Sequence, residues 1–88
     1  MDVFSYKPKN IPKVIRRKLG KEQAWGMSGK NIEIDSRLRG RREMIIYLHE
    51  FFHHIFPDMS EDEIIVKSES AAEFMWRNHY RRVDNSDE

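Results

Sequence analysis

Between residues 41 and 56 the apolar positions Ile45, Leu48, Phe52 and Ile55 recur at spacings of three and four. That is the period of a helix with one buried face. Gly40 stands just before the run and Pro57 ends it, because proline has no N–H with which to continue the hydrogen-bond ladder. A second start signal follows at once. Ser60 and Glu63 have capping-box spacing, and Glu61, Asp62 and Glu63 put negative charge where the helix dipole favours it. The second helix is predicted over about 61–80, with Ile65, Ala72 and Trp76 on its buried face and Ile64, Ala71 and Met75 flanking them. Only Pro57-Asp58-Met59-Ser60 joins the two helices, so they are expected to be antiparallel neighbours.

Upstream the period changes from helical to alternating. Asn31-Ile32-Glu33-Ile34-Asp35 alternates polar and apolar like a half-buried strand. With Gly26-Met27-Ser28-Gly29 as a turn and Gln23-Ala24-Trp25 before it, a hairpin is predicted over 23–35. Residues 12–19 read as a short strand or a helix, since Val14, Ile15 and Leu19 fit neither period well. The expected fold class is α+β: a small antiparallel sheet or hairpin packed on an antiparallel helix pair. One domain is expected over residues 1–88, with a charged tail fraying from about residue 82.

Composition narrows this picture. Eighty-eight residues, 39% of them hydrophobic and 35% charged, make one small domain with a marginal core. There is no cysteine, which excludes disulfides, thiolate nucleophiles and Cys-based zinc sites. A metal held by His, Asp or Glu remains available to brace the fold. The formal charge of +1 is unevenly laid out: residues 1–43 hold twelve Lys/Arg against five Asp/Glu, and residues 44–88 hold four against ten. Either the two halves attract each other within one fold, or the basic half meets a nucleic acid. Met1-Asp2-Val3-Phe4-Ser5-Tyr6 lacks the cationic start and apolar run of a signal peptide, and no stretch is apolar enough to span a bilayer. A cytoplasmic location without membrane attachment is therefore expected.

The first helix contains His49-Glu50-Phe51-Phe52-His53, the His-Glu-x-x-His pattern. Residues four apart lie one turn above each other, so both imidazoles can reach one Zn2+. Glu50, one residue on, stands beside the metal and can accept a proton from a water that the zinc acidifies. Ile45, Ile46, Leu48, Phe51 and Phe52 would supply a dry wall. Random ordering of these residues gives the pattern in roughly one chain in a hundred.

Two histidines leave a catalytic zinc site one protein ligand short. Phe56 and Met59 stand where a metzincin would have its glycine and third histidine, so a carboxylate on the second helix is expected instead. Glu61 can reach back over the short loop, although first-turn dipole compensation explains it equally well. Glu69 lies on the same face nearer His49 and reads otherwise as a solvent-facing charge. Both stay open as the third metal ligand. Glu73 is a candidate to orient a histidine from behind. His54 points about 100° away from His53 and is not expected to be a ligand. His79 and Tyr80 are candidates to stabilise an oxyanion.

These residues resemble the zincin metallopeptidases. More closely, the run from Ile32 to Tyr80 looks like short, mostly phage-encoded zincin-like proteins of unassigned function. The matching positions are Ile32, Ile34 and Asp35, the motif, Pro57 to Glu61, and Ala72, Met75 and Trp76. The resemblance implies a minimal zincin-like fold and a metalloprotease that uses Glu50 as general base on a protein or peptide substrate. In a phage setting the substrate would be a host or phage regulatory protein in the host cytoplasm. It tilts the third ligand toward Glu61, whereas Glu69-Ser70-Ala71-Ala72 looks like the Glu-x-x-Ala of phage-type regulatory peptidases. An extended substrate is expected to add to an exposed strand edge at Ile32 to Asp35.

Two rivals are set beside the hydrolase. In one, Arg16, Arg17, Lys18 and Lys21, or Arg37, Arg39, Arg41 and Arg42, contact nucleic-acid phosphates and zinc only holds the fold. In the other, a zincin-like phage protein binds a host factor without catalysis.

Overall fold

The computed structural model describes residues 11–20 and 25–83, so Lys21, the Gln23-Ala24 arm of the expected hairpin and the tail after Val83 lie outside it. Strand β1 spans Val14–Arg17, β2 Gly26–Ser28 and β3 Ile32–Asp35; helix α1 spans Gly40–Ile55 and α2 Glu61–Arg77. This is the expected α+β class. The sheet is mixed rather than wholly antiparallel. Its order is β1-β3-β2, with β2 antiparallel to β3 as in a hairpin and β1 parallel to β3. Strand β3 is thus paired on both sides, which corrects the expectation of an exposed edge at Ile32 to Asp35; among the described residues the edge strands are β1 and β2.

Alternation along β3 sets the core. Ile32 and Ile34 are buried beside Leu38, with Val14, Ile46 and Phe51 packed against them, while Glu33 turns outward to Arg17 at 2.7 Å. The register places Val14 opposite Ile32 and Arg16 opposite Ile34, so Arg16 faces the helix layer and bonds Glu43 of α1 at 3.3 Å. Helix α1 packs on β2 and β3 with one side and on α2 with another. On α2 the fully buried residues are Ile64, Ser68 and Ala72; Ala72 is inward and Trp76 half-buried as expected, but Ile64 takes the buried place expected for Ile65, which is 38% exposed. The two isoleucines are adjacent and equally apolar, and packing on α1 selects the first rather than the second.

The helix ends are set by local chemistry. Ser60 Oγ accepts the Glu63 N–H at 3.2 Å, so the cap half of the capping box is present. Helix α2 stops at Arg77 instead of about 80. His79 adopts φ +66°, the His79 N–H reaches the Trp76 carbonyl at 3.1 Å and the Tyr80 N–H that of Met75 at 3.0 Å. That pair of bonds is a Schellman motif with histidine in the place glycine usually takes.

The turn after β3 depends on one acid. Asp35 is fully buried and accepts the Leu19 N–H at 3.2 Å, the Arg37 N–H at 2.9 Å and two Arg37 guanidinium bonds at 2.9 and 2.6 Å. The Arg37 guanidinium, helped by the two backbone donors, holds the Asp35 carboxyl far below the ordinary carboxylate range. Because the folded value lies below the unfolded one, this stabilisation is complete above about pH 4 and is lost as the pH falls further. Asp35→Asn should melt about 5–10 °C lower than wild type at pH 7, and the gap should narrow on acidification toward pH 3. Thermal melts across that range check both parts; a gap that stayed constant would show that the charge of Asp35 is not the cause.

Candidate metal centre

His49 and His53 stand one turn apart on α1, as the spacing requires, and their rings meet edge to face with centroids 4.8 Å apart. The short 56–60 connection folds α2 back so that its first residue, Glu61, arrives over them. His49 Nε2 and His53 Nε2 are 3.2 Å apart; Glu61 Oε1 lies 2.8 Å from the former and 3.3 Å from the latter. Zinc bonds of 2.0–2.2 Å in a tetrahedron put neighbouring donor atoms about 3.3 Å apart. The three atoms therefore match one face of a tetrahedral site in spacing as well as in chemistry. Two imidazoles and one carboxylate form a set typical of catalytic zinc. The histidine side chains are 18% and 29% exposed and that of Glu61 60%, so the group opens to solvent on the Glu61 side.

Of the two carboxylates left open by the sequence, Glu61 joins the histidines in the group able to hold a metal; Glu69 does not. Glu69 is exposed and lines a shallow depression with Ser70, Glu73 and Phe74 instead. Its displacement follows from the phase of α2. With Ile64, Ser68 and Ala72 inward, Glu61 lies three residues before Ile64 on the inward stripe, whereas Glu69 sits about 100° past Ser68.

Glu50 is 9% exposed, against β2. The approach is close because residue 26 is glycine. A Cβ there would stand 2.8 Å from Glu50 Cγ, 2.8 Å from Ile46 Cγ2 and 3.1 Å from Glu50 Oε2. The sequence suggested Gly26 as part of a turn. The turn actually lies at 29–31, where the Gly29 N–H bonds the Asn31 carbonyl at 3.1 Å, and Gly26 is the residue whose missing side chain lets the strand cover Glu50.

Other candidates are placed elsewhere. Glu73 binds Arg41, and Arg77 at 2.7 Å, and does not orient a histidine; Arg77 above all, with Arg41, holds its carboxyl below the ordinary value. His79 and Tyr80 follow the C-terminal end of α2, and at 1.5 Å per residue that is about 27 Å along the axis from Glu61. They stand too far away to serve an oxyanion at this group.

Zinc binding distinguishes the two carboxylates. Glu61→Ala should weaken zinc affinity by about 100-fold or more, while Glu69→Ala should leave it within a few-fold of wild type. Competition titration against a chromophoric chelator measures both, and the reverse ranking would make Glu69 the ligand. No family model matches the chain, and no curated protein or solved structure matches it either, so the assignment of the centre stands on its geometry and chemistry.

Proposed function

We propose that the protein is a zinc-dependent metalloprotease of zincin-like type, acting on a protein or peptide substrate. The observation that carries this reading is the triangle of His49, His53 and Glu61 donor atoms, with Glu50 next to His49 on the same helix. The chemistry supplied by zinc in such a donor set is Lewis acidity, which acidifies water and polarises a scissile carbonyl. Glu50 takes the proton from the attacking water and delivers it to the leaving amine. Its burial under β2 restricts its rotamers and keeps the carboxylate in a low-dielectric setting, where its charge acts strongly. An extended peptide would add to the outer edge of β2, the edge strand against Glu50, in place of the central β3.

The nucleic-acid alternative is less well supported, because several of the arginines it needs already have acidic partners. Arg16 pairs with Glu43, Arg37 with Asp35 and Arg41 with Glu73. The other alternative, a zincin-like protein in which the metal serves stability alone, differs only in whether Glu50 works. On the hydrolase reading the substrate would be a host or phage regulatory protein in the cytoplasm. Among the described residues no helix is long and apolar enough to cross a membrane.

Glu50→Gln keeps the side chain's size and removes its basicity. It should bind zinc as wild type does and cut peptide cleavage by about 10²–10⁴-fold. The assay is mass spectrometry of a peptide library incubated with the zinc-loaded protein. Cleavage that persisted unchanged in the variant would remove Glu50 from the mechanism.

A further inference from the structure

We propose that the protein has a second ligand site, a pocket on the far side of α1 from the metal centre, and that it takes a small aromatic anion. The pocket encloses about 400 Å³ between the first half of α1 and the end of α2, within the range of small-ligand sites. Met44 and Leu48 of α1 and Met75 and Trp76 of α2 line it, with Tyr47 and Tyr80 beside them. Its position follows from helix geometry. Met44 and His53 are nine residues apart, and at 100° per residue that places them about 180° apart around α1. A ligand in the pocket therefore meets neither histidine. The site is independent of the hydrolase reading.

Charge indicates the ligand. Four arginines line the pocket, Arg16, Arg39, Arg81 and Arg82, against one carboxylate, Glu43. Glu43 is 5% exposed and already accepts from Arg16 at 3.3 Å and Arg82 at 3.2 Å. The other two arginines meet main-chain oxygens. Arg39 donates to the carbonyls of Ser36 and Leu38 at 2.5 and 2.7 Å, and Arg81 to that of Trp76 at 2.6 Å. Neither has a carboxylate partner among the described residues. Their charge is thus left for an external anion, which guanidinium groups bind through paired N–H donors. The aromatic half of the ligand is indicated by the walls. The Arg81 guanidinium carbon lies 3.5 Å from the Trp76 ring centroid and that of Arg16 5.8 Å from the Tyr47 ring, so flat cationic and aromatic surfaces alternate. A planar ring can stack on either kind of surface. A ring carrying one acidic group satisfies both features of the pocket, as in a nucleoside monophosphate or an aryl carboxylate.

Two-dimensional amide and indole NMR of the full chain tests this with four probes: AMP, indole-3-acetate, adenosine and inorganic phosphate. One or both of the aromatic anions should bind below about 1 mM and shift the Trp76 indole and the amides of Met44 and Met75, with the Trp25 indole unmoved. Adenosine and phosphate alone should each bind at least about tenfold more weakly, because each offers half of the ligand. Binding of AMP only would assign a phosphate-bearing ligand, and binding of indole-3-acetate only a carboxylate. Arg39→Ala and Arg81→Ala, neither of which breaks an ion pair among the described residues, should each weaken the binding about tenfold or more, and Arg77→Ala on the outer face of α2 should not. The proposal is overturned if neither aromatic anion binds, if adenosine binds as well as AMP, or if Arg39→Ala binds as wild type does.

Discussion

Helix α1 is the shared wall of this small protein, and its packing on two sides determines where everything else can go. Ile46 and Phe51 meet the sheet core, while the helix also carries α2 on another side. A helix clasped in this way keeps two open grooves between its neighbours. One holds His49 and His53; the other is the arginine-lined pocket around Met44. The metal group depends on this arrangement. Its third member comes from α2, and only the docking of α2 on α1 brings Glu61 within 2.8 Å of His49.

A domain of this size has little hydrophobic burial to spare, and the buried aliphatic set is short: Leu19, Ile32, Ile34, Leu38, Leu48, Ile64 and Ala72. Asp35, Glu43 and Glu50 are nevertheless buried beside them. An ionised carboxylate taken from water costs several kcal/mol unless donors replace the water. Asp35 meets that requirement with Arg37 and two backbone N–H groups, and it ties the end of β3 to the segment after β1. Glu43 does so with Arg16 and Arg82 and joins β1, α1 and the segment after α2. Both acids lie in the basic half of the chain, and a pair that carries one of that half's arginines across to the acidic half is Arg41 with Glu73. A bound metal would add a further tie between α1 and α2, contributing about 2.7 kcal/mol at a concentration 100 times its Kd.

The helices and their antiparallel pairing were legible because spacing, the Ser60 cap and Pro57 are local signals. The His-Glu-x-x-His pattern was legible for the same reason: both histidines lie on one turn of one helix. Glu61 was only half legible. Choosing it over Glu69 needs the phase of α2, and Ile64 and Ile65 are equally apolar in the sequence. Pairing across the sheet was hidden for a different reason. The parallel placement of β1 is a long-range fact, and Val14 to Arg17 alternate too briefly to announce it. Gly26 carries no sign of its role, because a glycine that makes room for Glu50 looks in sequence like a glycine that makes a turn. His79 likewise gives no warning that it will take a left-handed conformation and end α2 three residues early.

The central claim is that His49 and His53 together bind one metal ion through Nε2. Long-range nitrogen NMR of the histidine side chains during zinc addition tests it most directly, since each ring nitrogen reports its own protonation and coordination. With one equivalent of zinc, Nε2 of His49 and His53 should shift together in slow exchange while His54 and His79 stay in place. Shifts spread over all four histidines, or none at one equivalent, would contradict the account.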